Sequence, residues 1–498
     1  MHKALAEQHL FPFEDFRPIQ AKFVAAVSAT IKQGKQLLVH APTGIGKTAS
    51  TLSPAVTYAL EHKKTVFFLT SRHTQHLITL ETLQLLQNKH DKRFGVVNLV
   101  GKQNMCLQPG VQYLSSSEFH SYCKQQREQR TCSYFNKTRK TSGTLDVHGT
   151  ACTEQLANHI IPLELLKSSA GDLAVCPYEI ALELSKDAKV IVADYNYIFN
   201  DVVRNGFFRR TELELQDCIV IVDEAHNLPA RIKNMATDRL TSRTLSLAIK
   251  EAEKAGEPKA QQYVTELHVM FDSYLDEDFD EKLVPKQFFL AMIEEIADID
   301  AFTEELTAAG ERVRDDKKSS FLLGIVEFIT RWKGADKGFA RIMSKKQGNQ
   351  GTSIQLSYTC LDPALITTPI LEQCHSVIFM SGTLQPLDMY QHLLGAHDAT
   401  PLAFDNPFPV KNRLSLVVPK TTTKFSQRND KQFEDIAQAV TDIVTNIPGN
   451  SIIFLPSYQI HTRISAILHQ KCPRTIMTEQ QGMHADERKQ LLENFKSY

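Results

Sequence analysis

A lysine and a threonine directly behind two glycines, and an aspartate–glutamate pair ending an apolar run, are the residues of this chain best suited to chemistry. The first group lies in "HAPTGIGKTAS", residues 40–50. Gly44 and Gly46 permit the positive φ and close backbone approach that let N–H groups converge on a polyphosphate. Thr43, Gly44 and Gly46 would line that cradle, Lys47 would reach the β and γ phosphates, and the Thr48 hydroxyl would hold Mg2+. A helix starting here would add its N-terminal dipole. Two features depart from the general pattern. Ala41 stands where the first glycine is usual, and Pro54 is expected to disturb the following helix. The second group is "IVIVDEAHN", residues 219–227. Asp223 would hold Mg2+ through water, and Glu224 would polarise an attacking water. Together the two groups describe a nucleoside-triphosphatase core.

The elements that must position these residues are short and almost wholly apolar: "QLLVH" at 36–40, "TVFFLT" at 65–70, "KVIVA" at 189–193, "CIVIVD" at 218–223, "SVIFM" at 376–380 and "SIIFL" at 451–455. Such runs, separated by helical stretches, indicate strands buried on both faces of a parallel α/β sheet. The rhythm lapses between 101 and 180, turns helical from about 235 to 350, and returns near 352. The pattern is one α/β domain interrupted by two insertions and followed by part of a second. With 498 residues there is room for about three domains.

The net charge of −1 hides local polarity. Residues 121–140 and 331–350 each carry six Lys or Arg against one acid, whereas 251–310 holds sixteen acids against four bases. The two basic stretches are candidates for nucleic-acid contact. No start resembling a secretion signal and no apolar run of membrane-spanning length is seen, so the expectation is a cytoplasmic chain without a membrane partner. Nine cysteines in that setting argue against a disulfide framework. Six of them crowd together, at 106, 123, 132, 152, 176 and 218.

"APTGIGKT" and "VDEAHN" resemble the first two nucleotide-binding motifs of superfamily 2 helicases of the DEAH type. "FLTSRHTQ" at 68–75 resembles the motif whose Arg and Thr, here Arg72 and Thr74, meet the DNA backbone. "MSGTL" at 380–384 is similar to the motif that couples hydrolysis to domain movement, and "IIFLPSYQ" at 452–459 to the opening of a second motor domain. "FRPIQ" at 16–20 puts Gln20 in the adenine-contacting place. Together these resemble the XPD/DinG-like helicases, from about residue 10 to the end.

The resemblance implies ATP and Mg2+ as ligands, His226 as the link between the nucleotide site and the DNA-bound state, and Tyr195 and Asn196 of "ADYNYIF" as residues facing DNA. It also gives the crowded cysteines a purpose. "GKQNMC" supplies Cys106, "CPYEIA" supplies Cys176, and Cys123 and Cys132 take the middle places of a 4Fe-4S cluster. Cys152 competes with Cys123 for the fourth place, and Cys218 reads as core packing. Zinc is the rival metal, disfavoured because no close Cys-x-x-Cys pair occurs. Tyr134 and Phe135 either stack bases or pack the cluster insertion.

The implied architecture is a RecA-like parallel-sheet motor domain (1–101, 181–235 and 352–385) carrying an iron–sulfur insertion (102–180) and a helical arch (236–351), with a partial second RecA-like domain at 386–498. Relatives carry an arginine-bearing motif after the place where this sequence stops, at "LLENFKSY", so slow hydrolysis or no unwinding is the expectation for a truncated chain. The implied function is an ATP-dependent DNA helicase moving 5′ to 3′ on single-stranded DNA, in repair or replication, and acting as a monomer on forked or duplex-junction DNA. The acidic part of the arch would meet a protein partner. The rivals are an ATP- and DNA-binding fragment without productive turnover and a nucleotide-dependent scaffold.

Overall fold

Among the described residues twelve strands are formed: β1 (Gln36–His40), β2 (Thr65–Leu69), β3 (Val96–Asn98), β4 (Ile160–Ile161), β5 (Val190–Ala193), β6 (Cys218–Val222), β7 (Asp238–Thr241), β8 (Glu281–Leu283), β9 (Phe339–Gly348), β10 (Gly351–Cys360), β11 (Ser376–Ser381) and β12 (Thr400–Ala403). The computed structural model describes residues 7–497 except 72, 115, 318, 319, 349, 350 and 484. Eight strands form one parallel sheet in the order β12-β1-β11-β6-β2-β5-β3-β4.

This sheet is apolar on both faces because helices cover both. Leu37, Val39, Val66, Phe68, Ile219 and Ile221 pack against the helices Gln20–Lys32, Lys47–His62 and His73–His90. Their neighbours Leu38, Phe67, Leu69, Val220 and Val222 join the opposite cluster with the helices Pro177–Ser185 and Asp201–Thr211. That alternation is the period-two geometry of a strand. Pro54 does not end the helix Lys47–His62. Hydroxyls of Ser50, Thr51, Ser53 and Thr57 bond back to carbonyls one turn earlier along the same stretch.

The first insertion is not a separate body. Its edge strand β4 pairs with β3, and Leu166, Ala170 and Val175 are buried in the sheet's own core. The second insertion is only partly helical. Strands β7, β10, β9 and β8 form an antiparallel sheet under its helices, with Leu240, Met343, Ile354 and Leu356 packed against Phe289 and Trp332. The insertion therefore runs through Cys360, beyond the expected end at 351. Ile354, Leu356 and Tyr358 alternate as a strand with one buried face, which a search for continuous apolar runs passes over.

The chain divides into two compact units after Pro407. Residues 386–407, expected in the second motor domain, belong to the first unit, because β12 pairs with β1. The second unit holds the helices Asp430–Asn446, Tyr458–Lys471 and Ala485–Ser497, the first two packed through a small cluster of Ala437, Ile460, Ile464 and Leu468. Among its described residues no strand is formed. The run at 451–455 is unpaired, and Phe454 is 89% exposed. A β-strand needs a neighbour for its ladder, and this segment has none.

Candidate nucleotide site and cysteine-bearing insertion

Three adjacent strands, β1, β11 and β6, deliver the phosphate loop, "SGT" and the Asp-Glu pair to the same C-terminal edge of the sheet. In open parallel sheets this edge is where ligands bind. Gly44 and Gly46 have φ of 90° and 78°, the left-handed conformation that glycine tolerates. A Cβ on Gly46 would collide with the Gln20 side chain, so the absence of one seats Gln20 against the loop. Gln20 is 2% exposed, and its Oε1 accepts from the Arg17 backbone N–H at 2.8 Å. The Arg17 guanidinium in turn donates to the Gly44 carbonyl. Lys47 and Thr48 open the helix, and Thr43 is exposed on the loop. The Ala41 N–H donates to the Ser381 carbonyl at 2.8 Å, joining the loop to the "SGT" strand.

Asp223 is 6% exposed at the end of β6. Burial pushes its carboxyl up to about 6, with the neighbouring Glu224 adding to the rise and Lys47 opposing it. Lys47 thus lies near enough to act on the Asp223 carboxyl. A buried carboxylate facing one lysine suits a divalent cation, whose charge would restore the ionised form. Glu224 adopts φ of 48°, unusual for a residue with a side chain. Its Oε2 accepts from the Ser381 hydroxyl at 3.1 Å. His226 Nδ1 meets that hydroxyl at 2.7 Å and lies 3.4 Å from Glu224 Oε2. Glu224, Ser381 and His226 form one polar group beside the Asp223 carboxyl. Ser381 lies inside the "MSGTL" motif, yet its role as the bridge between Glu224 and His226 was not evident from order along the chain.

One of the expected DNA-facing residues stands differently. Tyr195 is 2% exposed, and its hydroxyl donates to the Asp223 carbonyl at 2.6 Å. The ring lies in the core and does not face solvent, and its hydroxyl braces the Asp-Glu turn. Asn196 is half-buried, with its N–H on Asp194 Oδ1 at 2.7 Å. Thr74 is exposed in the first turn of the helix His73–His90, and Arg72 lies outside the described residues.

The cysteines separate into two kinds. Cys152 is wholly buried in the hydrophobic core, which pushes its thiol up to about 11, and no other cysteine contributes to that rise. Cys123 acts on both Cys106 and Cys176, and Cys132 acts on Cys106. Burial raises the Cys106 thiol, and Cys123 and Cys132 raise it further. Cys176 is pushed up to about 12 by burial first, with Glu179 and Cys123 adding to it and Lys102 opposing it. Cys106 ends the helix Lys102–Met105, whereas Cys132 and Cys176 cap the starts of the helices Ser133–Thr138 and Pro177–Ser185. Among the described residues, no three His, Cys, Asp or Glu side chains are drawn together tightly enough to hold a metal. Phe135 is covered by the guanidiniums of Arg127 and Arg130, 4.8 and 5.5 Å from its ring centre.

Comparison with known proteins agrees with this geometry. The DEAD/DEAH box helicase family matches residues 17–116, and the DEAD_2 family matches residues 69–245, a span that takes in the Asp-Glu turn. The chain carries these helicase domains and is similar to the XPD/DinG-like helicases of superfamily 2. The chain is 23% identical over 544 residues to the general transcription and DNA repair factor IIH helicase subunit XPD of Schizosaccharomyces pombe, covering 90% of this chain and 69% of that one. A regulator of telomere elongation helicase 1 homolog of Caenorhabditis elegans is 25% identical over 281 residues, 49% of this chain and 26% of the relative. A solved XPD helicase structure shares the fold with a TM-score of 0.58 at 19% identity, covering 97% of this chain and 79% of the other. The matched helicase domains and helicase relatives support an ATP-dependent enzyme. Among the described residues, no helix is long and apolar enough to cross a membrane.

Proposed function

We propose that this helicase uses ATP to move 5′ to 3′ along single-stranded DNA and to open duplex DNA at forks or junctions, in repair or replication. The observation that carries this reading is the convergence of Lys47, Asp223, Glu224, Ser381 and His226 on one edge of the sheet. The phosphate loop and Lys47 would hold the triphosphate, and Gln20 would bound the adenine side. Thr48 and Asp223 would hold Mg2+, which neutralises charge developing on the phosphates. Glu224 would orient and deprotonate the attacking water. Through Ser381, His226 shares hydrogen bonds with that carboxylate, so a shift of either side chain changes its aim.

Cys106, Cys123, Cys132 and Cys176 would hold a 4Fe-4S cluster that fixes the fold of the insertion. The action of Cys123 on Cys106 and Cys176, that of Cys132 on Cys106, and the core burial of Cys152 support this choice of four. Thr74 and the basic stretch 121–140 are the proposed DNA contacts, and the acidic face of 251–310 the proposed protein contact. A monomer in the cytoplasm is the working state. The test is strand separation on duplexes carrying a single 5′ or 3′ tail, with ATP and Mg2+. The proposal requires opening of the 5′-tailed substrate only. ATP-dependent strand binding without opening of either would mark a non-productive binding protein.

A further inference from the structure

Glu179 is wholly buried, three residues after Cys176 on the helix Pro177–Ser185. Its Oε2 accepts from two cations at once, Arg139 Nε at 2.6 Å and the Arg210 guanidinium. Oε1 is buried as well and has no hydrogen-bond partner. Burial alone would push this carboxyl up, but Arg210 and Arg139 hold it below the usual carboxylate range. The three residues come from three segments. Arg139 follows the helix Ser133–Thr138, whose start is capped by Cys132. Arg210 sits in the last turn of the helix Asp201–Thr211, whose Phe207 and Phe208 rings lie 6.1 and 5.8 Å from that of Phe67 in β2. A second tie runs parallel to the first: the Cys176 N–H donates to Thr138 Oγ1 at 2.7 Å. Arg139 also reaches Glu183 at 3.1 Å and the Gly143 carbonyl at 3.0 Å.

A surface ion pair would not justify a role, because such pairs contribute little. Here one buried carboxylate oxygen carries both bonds, and removing its charge leaves two guanidiniums facing a neutral group in a poorly solvated place. We propose that Glu179 is a positioning residue: a latch that fixes the Cys132-bearing segment against the Cys176-bearing helix and ties both to the motor helix carrying Arg210. Movement of the motor sheet then reaches the insertion through Arg210 and Glu179. This coupling rests on the helicase reading above, whereas the latch itself does not.

The test uses the full chain, as wild type, Glu179→Gln and Arg210→Gln, with amide hydrogen exchange read alongside ATP turnover and strand separation. In Glu179→Gln, exchange over 133–139 and 177–185 should rise about 10-fold while 47–62 and 218–228 stay protected. ATP turnover on single strands should stay within about 2-fold, and base pairs opened per ATP should fall about 5-fold or more. Arg210→Gln removes only the motor side, so it should lower that ratio yet leave 133–139 protected by Arg139. Rescue of the ratio by Arg210→Lys would support the charge link. Unchanged exchange in Glu179→Gln overturns the latch, as does a uniform rise across the unit. An unchanged ratio in Arg210→Gln overturns the motor connection. If the wild type opens no duplex, the helicase reading fails while the exchange result still decides the latch.

Discussion

Tyr195 and Asp223 are joined by a hydrogen bond of 2.6 Å from a buried phenol to a backbone carbonyl, and the same hydroxyl lies 3.2 Å from the Glu224 carbonyl. One side chain from the end of β5 therefore supports the turn on which both acids stand. Glu224 has an unfavourable φ of 48°, and the Tyr195 bonds hold the turn that imposes it.

Tyr195→Phe keeps the ring and removes only the hydrogen bonds of its hydroxyl. A buried carbonyl losing its partner costs about 1–2 kcal/mol of stability. ATP turnover should fall about 10-fold with nucleotide affinity nearly unchanged, because the phosphate loop is untouched. Thermal melting and steady-state hydrolysis check the two halves of this expectation.

Ser381→Ala breaks the bridge between Glu224 and His226. Turnover should drop by about 10- to 100-fold, in the range for removal of a group that aims a catalytic side chain. His226→Ala should produce a smaller loss, since Ser381 still donates to Glu224 Oε2. The double variant should be no worse than Ser381→Ala alone, and a double-mutant cycle on hydrolysis rates reads this directly.

The Asp223 carboxyl, pushed up to about 6 from a usual value near 3.8, gives a pH signature in the nucleotide-free protein. A raised folded pKa contributes stability that is fully present below the unfolded value and lost as pH rises through about 6. Asp223→Asn should therefore stabilise the empty protein at pH 7.5 by about 1–3 kcal/mol and make little difference near pH 4. Turnover should vanish in the same variant. Melting curves at the two pH values decide the matter.

Cys132→Ser and Cys152→Ser separate the two kinds of cysteine. Anaerobically purified Cys132→Ser should lose the visible absorbance of an iron–sulfur chromophore, whereas Cys152→Ser should keep it. Cys152→Ser places a hydroxyl in the apolar core, so its cost should appear in melting at about 1–3 kcal/mol.

Much of this molecule could be read from its sequence where physics leaves a local mark. Strands β1, β2, β5, β6 and β11 announced themselves because burial on both faces demands unbroken apolar runs. The phosphate loop did so because two glycines must take positive φ. β10 was missed because its apolar residues, such as Ile354, Leu356 and Tyr358, alternate with polar ones. β12 was missed because its pairing with β1 joins residues more than 350 positions apart. Tyr195 shows the limit most clearly. Its place in the motif was visible, but whether the ring points to solvent or under the Asp-Glu turn depends on how β5 and β6 sit either side of β2. The ties of Glu179 to Arg139 and Arg210 are equally nonlocal, joining segments 40 and 31 residues apart.

The central claim is that a triphosphate sits between the loop bearing Lys47 and the strand end bearing Asp223 and Glu224, and that its hydrolysis answers to DNA. Rates of ATP hydrolysis with and without single-stranded DNA, compared between the wild type and Lys47→Ala, test it most directly. The prediction is stimulation of the wild type by single strands and a loss of at least about 100-fold in Lys47→Ala. Equal hydrolysis by both proteins, or a wild type with no affinity for adenine nucleotides, would contradict it.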